Sequence, residues 1–133
     1  MKTDLAASPR HVLALVIALA AGSALAAAPT CPVTETCKQS NDNCQPAEGL
    51  VVLKMLEADP VLKVAVSLND APPVDTTAVQ DPKYTTLMAM IDGTEHQFRL
   101  QPDGTFNYLI TTPDRDAPGG HDQPLYRGQC LEG

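Results

Sequence analysis

The chain contains no tryptophan, and only two phenylalanines and three tyrosines in 133 residues. So few rings argue against a carbohydrate-stacking platform and predict an aliphatic core with few aromatic anchors for a tight interface. Basic residues are scarce as well. Nine lysines and arginines face sixteen carboxylates, and those beyond Arg10, from Lys38 to Arg127, stand singly among acids. Neutralising phosphates requires clustered cations, so nucleic acid and anionic membrane surfaces are excluded as partners. The catalytic inventory is thin. Beyond residue 26 the only serines are Ser40 and Ser67, and no Gly-x-Ser-x-Gly turn occurs. Cysteines lack any Cys-x-x-Cys pair, which argues against zinc. No motif implies a cofactor, and the expectation is a protein that is not an enzyme.

What is present begins with an export signal. Lys2, Arg10 and His11 give a positive start, Val12 to Ala21 is an unbroken apolar run, and Ala24-Leu25-Ala26 supplies the small residues of a cleavage site. The run is too short for a span of about twenty residues, so no stable membrane anchor is expected after cleavage. Residues 1–26 are read as a signal peptide. Removing Lys2, Arg10 and Asp4 with it leaves seven basic residues against fifteen acidic, a net of minus eight. The expected location is periplasmic or secreted.

All four cysteines, Cys31, Cys37, Cys44 and Cys130, follow the leader, and an even count in an oxidising compartment reads as two disulfides. Three connectivities are open. Each joins Cys130 to the amino-terminal group and so clasps the two ends of the chain. Residues 27–48, rich in Thr, Asn, Gln and Cys, carry no apolar periodicity and read as a cysteine-rich segment ordered by the disulfides. Residues 49–133 read as an antiparallel β domain. Leu50 to Leu56 is nearly continuous and apolar, as in a strand buried on both sides. Cleaner period-two runs follow: Leu62 to Leu68, Thr85 to Ile91, His96 to Leu100, Phe106 to Ile110 and Leu125 to Cys130. Asp92-Gly93 and Pro102-Asp103-Gly104 mark hairpin turns. Two proline-rich stretches, Asn69 to Lys83 and Thr112 to Pro124, read as long loops and as the contact surfaces. The fold class is therefore all-β, a small antiparallel sandwich or partly closed barrel of about six strands.

Few residues qualify as sites. Tyr126 and Arg127 are the candidate contact residues. Asp114, Asp116 and Asp122, alternating around Gly119-Gly120, can converge oxygens on a hard cation such as calcium, although the position of a bidentate Glu is held by Leu125. The plainer reading is a solvated acidic loop. His96 and His121 form a pH-sensitive pair only if the fold joins them. Met55, Met88 and Met90 fit core filling better than copper ligation.

The spacing Cys31-x5-Cys37-x6-Cys44 behind a leader, followed by an all-strand region and Tyr126-Arg127-Gly128-Gln129-Cys130, resembles small exported alphaproteobacterial proteins of unknown function. That resemblance implies no activity. The layout is also similar to the periplasmic lysozyme inhibitors, which are small disulfide-clasped barrels. Their inhibitory loop with a Ser and a Tyr has no counterpart in Asp103 to Tyr108, which reads as a hairpin. The functional expectation is a binding protein whose partner is an envelope or extracellular protein or a small ligand. The alternative is a small barrel holding an apolar ligand or a weakly bound cation.

Overall fold

The computed structural model describes residues 29–79 and 81–131, and the expected leader lies outside the described residues. Nine strands follow in order: β1 (Thr30–Gln39), β2 (Asp42–Glu57), β3 (Lys63–Leu68), β4 (Val74–Val79), β5 (Thr85–Ile91), β6 (Thr94–Leu100), β7 (Thr105–Pro113), β8 (His121–Asp122) and β9 (Leu125–Gln129). Strands β1 to β7 form an antiparallel meander, and β9 lies between β7 and β1. Eight strands thus close into a barrel, while two-residue β8 pairs only with the end of β7. Closure removes the edges of the wall itself, while residues 42–49 of β2 run past β3 and pair with β1 alone. Apart from one 3-10 turn at Pro118–Gly120 the described residues are strand and loop, and no helix among them is long and apolar enough to cross a membrane.

The period-two runs form strands because alternate side chains meet inside one barrel. Val51 and Leu53, Val64 and Val66, Leu87, Phe98 and Leu100, and Phe106 and Tyr108 are all buried in one cluster. Rings occupy its middle. Phe98 and Phe106 stack at 5.3 Å between centroids, and Tyr108 meets Phe98 edge-on at 6.0 Å. The aliphatic core expected from composition is thus corrected: few aromatics were available, but cross-strand pairing of β6 with β7 gathers both phenylalanines and a tyrosine at one level. An eight-stranded barrel is just wide enough for side chains to fill.

Four further expectations are overturned. Residues 29–48 are not a separate disulfide-ordered segment, because β1 pairs with both β2 and β9 in the barrel wall, and position 48 falls inside β2. Inward residues of β1 are small and include a half-cystine, so no apolar rhythm announces them; Cys31 and Val33 are both buried. Nor is Asn69 to Lys83 a structureless loop, since Val74–Val79 pairs with both β3 and β5. Prolines 72, 73 and 82 flank that strand without interrupting it. Its buried residue is Thr76, whose hydroxyl donates to the Val64 carbonyl at 2.8 Å. Finally, β2 is buried on one side only, with Leu50 and Leu56 exposed, because a barrel has a single inner face. Met90, at 67% exposure, lies outside the core.

Where sequence pointed to turns, the chain turns. Asp92 and Gly93 both take positive φ, 50° and 83°, and join Ile91 to Thr94 in the two-residue geometry that suits a twisted hairpin. Cys31 bonds to Cys130 and Cys37 to Cys44. The first bridge joins positions 99 apart and ties the start of β1 to the residue following β9. The second lies across the directly facing pair of the β1–β2 hairpin.

Candidate functional site

Strand alternation sends Tyr126 and Arg127 to opposite sides of β9. Tyr126 faces inward, with its ring 6.4 Å from that of Tyr108, and packs against the core. It is not an outer contact residue, which corrects half of the expected pair. Arg127 points outward. Its guanidinium donates to Glu35 Oε2 at 3.0 Å and to Asn41 Oδ1 in the β1–β2 turn. Both partners of the Arg127–Glu35 pair are over a third exposed, so the ion pair contributes about 0–1 kcal/mol and mainly fixes the direction of the side chain.

Register then builds a surface that no single strand displays. Thr86 faces Arg99, Arg99 faces Asn107, Asn107 faces Arg127, and Arg127 faces Glu35 across β5, β6, β7, β9 and β1. Arg99, Asn107, Arg127 and Glu35 form one outward row, with Thr86 buried at its end. Its neighbour runs Gln97, Leu109, Leu125 and Cys37, and is largely apolar. Arg99 and Arg127 are two strands apart, roughly 10 Å between Cα atoms. Their heads diverge: the Arg99 guanidinium carbon lies 4.9 Å over the Tyr84 ring, while Arg127 turns to Glu35 and Asn41. Asn107 sits between them without a side-chain partner among the described residues.

Two hollows open on this face. One of about 160 Å³ is lined by Ser40, Asn41, Gln97, Arg99, Asn107, Leu109, Leu125 and Arg127. A wider one of about 460 Å³ includes Thr34, Glu35, Gln101 and Gln129, and shares Asn107 and Arg127 with the first. Together they make a furrow with Asn107 and Arg127 at its centre. Arg99 has no carboxylate partner among the described residues, and its Nε is buried without a hydrogen bond. A buried donor left unsatisfied costs about 1–3 kcal/mol, which a hydrogen-bonding partner relieves.

The remaining candidates do not assemble. Asp114 accepts a hydrogen bond from the amide of Asp116 at 2.9 Å, and Asp114, Asp116 and Asp122 are all exposed. Their oxygens do not converge within ligand distance, since the one such group among the described residues is Glu35 with Cys37 and Cys44. Those two sulfurs are bonded to each other and cannot serve as thiolate ligands. His96 and His121 are not joined either. His96 Nδ1 lies 2.8 Å from the Tyr108 hydroxyl, whereas His121 Nδ1 is 3.2 Å from the Gly119 carbonyl. Burial lowers the His96 pKa, favouring the neutral ring. The Tyr108 phenol is pushed up to about 12 by burial and secondarily by Tyr126.

Sequence reasoning placed Arg99 beside Arg127 as a strand cation but missed Asn107 and Gln97. Their outward facing was legible from alternation, since Arg99 and Gln97 oppose Phe98 and Leu100. Their convergence was not, because it depends on how β6, β7 and β9 are registered. Comparison of the chain with protein-family models, with curated proteins and with solved structures found no match.

Proposed function

We propose that this protein is an exported, non-enzymatic binding module whose contact surface is the outer face of β6, β7, β9 and β1. One observation carries the reading: in a chain dominated by carboxylates, two of the three arginines that follow the leader line a single furrow, and one of them is left without an acidic partner. Attraction for an acidic partner would be strongest there, while the surrounding negative charge would disfavour non-specific association with anionic polymers. Two formed disulfides are consistent with an oxidising, exported location. We read the compartment as periplasm or the extracellular medium, on the strength of the leader at 1–26.

A non-enzymatic role draws support from the lack of an activated nucleophile among the described residues. All four sulfurs are bonded, and Ser67 lies within β3. A barrel holding a ligand inside has less support, because Phe98, Phe106 and Tyr108 pack against one another in the buried interior. The test is recovery from envelope extract on immobilised protein, with Arg99→Ala/Arg127→Ala as the paired comparison. A species retained by the natural protein and lost with the variant supports the assignment of this face. Identical recovery from both would remove it.

A further inference from the structure

Three features invite a ligand: the furrow, the exposed apolar residues at the barrel rim, and the acidic loop before β8. The rim residues Leu56, Val61 and Val79 lack anything that identifies what covers them, and the acidic carboxylates do not converge. The furrow carries more. We infer that it receives the carboxylate of a peptide ligand between Arg99 and Arg127, over Asn107, with the ligand's neighbouring apolar side chain on Leu109 and Leu125. This rests on the outer face being the contact surface and specifies what that face recognises.

Two guanidinium groups in one hollow repel each other, and here they are held apart, one by the Tyr84 ring and the other by Glu35 and Asn41. Glu35 shows which chemistry satisfies Arg127: a carboxylate oxygen at 3.0 Å. Arg99 lacks the equivalent partner. A carboxylate entering over Asn107 would supply it once the Arg99 head turns from the Tyr84 ring, because the planar fork of arginine matches the two oxygens of that group. Asn107 and Gln97 provide neutral amide donors beside the cations, suited to the carboxylate and to an adjacent peptide group. Leu109, half-buried in the next row beside the buried Leu125, gives an apolar side chain one residue away from the charge an apolar surface. Phosphate is a poorer fit. Glu35 stands at the end of the same row, and its charge would repel a dianion more than a monoanion.

Nitrogen-15 NMR of the oxidised chain tests this directly, since the buried Arg99 Nε–H and the Asn107 side-chain amide each give a signal. The probes are N-acetyl-leucine, N-acetyl-leucine amide, N-acetyl-aspartate α-amide and acetate. N-acetyl-leucine is expected to move both signals saturably, with the uncharged amide weaker by about tenfold or more and acetate weaker than N-acetyl-leucine. Comparable binding of the aspartyl probe would identify side-chain carboxylates as the source, and its absence would identify the chain terminus. Asn107→Asp places a carboxylate of the same shape between the arginines, and should abolish the shifts while leaving the melting midpoint unchanged or higher. Equal binding by the uncharged amide, no movement with any carboxylate, or undiminished binding by N107D would each overturn the inference. Loss of envelope partners from the double arginine variant, together with a failed titration, would keep the contact face and discard only its carboxylate ligand.

Discussion

Gly128 is the position at which barrel closure is most exposed to a single atom. It lies in β9, facing Val33 of β1 on one side and Phe106 of β7 on the other. A Cβ built there would stand 1.9 Å from the Pro32 carbonyl oxygen, 2.9 Å from Phe106 Cε1 and 3.0 Å from the Pro32 carbonyl carbon. Two of those atoms belong to the backbone of the neighbouring strand, so no rotamer change relieves the overlap. Overpacking of this kind costs typically about 1–3 kcal/mol, and backbone contact places Gly128→Ala at the upper end, about 3 kcal/mol. For a body of this size each kcal/mol moves the melting midpoint by roughly 4–8 °C, so a fall of roughly 12–24 °C is expected. The assay is thermal unfolding followed by circular dichroism, on material shown by mass to retain both disulfides. Gly93→Ala serves as the comparison: a Cβ there meets nothing within 4 Å, and only its φ of 83° opposes the change, at about 1–2 kcal/mol. A G128A midpoint within a few degrees of the natural protein, or a larger loss from G93A, would refute the placement of β9 between β1 and β7.

The remaining predictions concern the disulfides and pH. Replacing Cys31 and Cys130 by serine removes a bridge between positions 99 apart, for which chain entropy gives about 4–5 kcal/mol; the Cys37–Cys44 pair, seven apart, gives about 2–3 kcal/mol. Denaturant melts of the two double variants should keep that order, and a larger loss from C37S/C44S would contradict it. On the alkaline side, the Tyr108 phenol titrates near 12 when folded and near 10 when unfolded. Its contribution is complete below pH 10 and disappears as pH rises toward 12, by about 3 kcal/mol at most. Tyr108→Phe should flatten that decline in pH-dependent urea melts, and an unchanged slope would count against the buried phenol. On the acid side, burial lowers the His96 pKa from 6.5, so stability is complete above pH 6.5 and falls as pH drops below it. His96→Gln should remove that part of the acid dependence, and a midpoint that rises on acidification would oppose it.

How much of this was readable in the chain depended on where the large side chains fell. Strands β3, β5, β6, β7 and β9 announced themselves because Val, Leu, Phe and Tyr recur at every second position, and period two admits little else. The turns at Asp92-Gly93 and at Gly104 were equally plain, since each carries the positive φ that its residues favour. β1 and β4 escaped because several of their inward residues are small or polar, among them Cys31, Thr76 and Ala78. A threonine that hydrogen-bonds to a neighbouring carbonyl fills such a place without any apolar signature. Disulfide pairing was open for a related reason: Cys31 reaches Cys130 only because β9 returns beside β1, which is a property of closure and not of spacing.

The candidate site divides along the same line. Alternation already put Arg127 on the side opposite Tyr126, and Arg99 on the side opposite Phe98. What no local pattern supplies is the register that sets Arg99 against Asn107 and Asn107 against Arg127. Composition hid the site further, because seven scattered cations in an acidic chain give no cluster along the sequence.

Cross-strand proton contacts in a nuclear Overhauser spectrum of the oxidised chain test that row most directly. The account predicts backbone contacts linking Arg99 to Asn107 and Asn107 to Arg127, with Arg127 in turn linked to Glu35. Contacts that pair β9 with any strand other than β7 and β1, or a one-residue shift that turns Arg127 toward the interior, would contradict it.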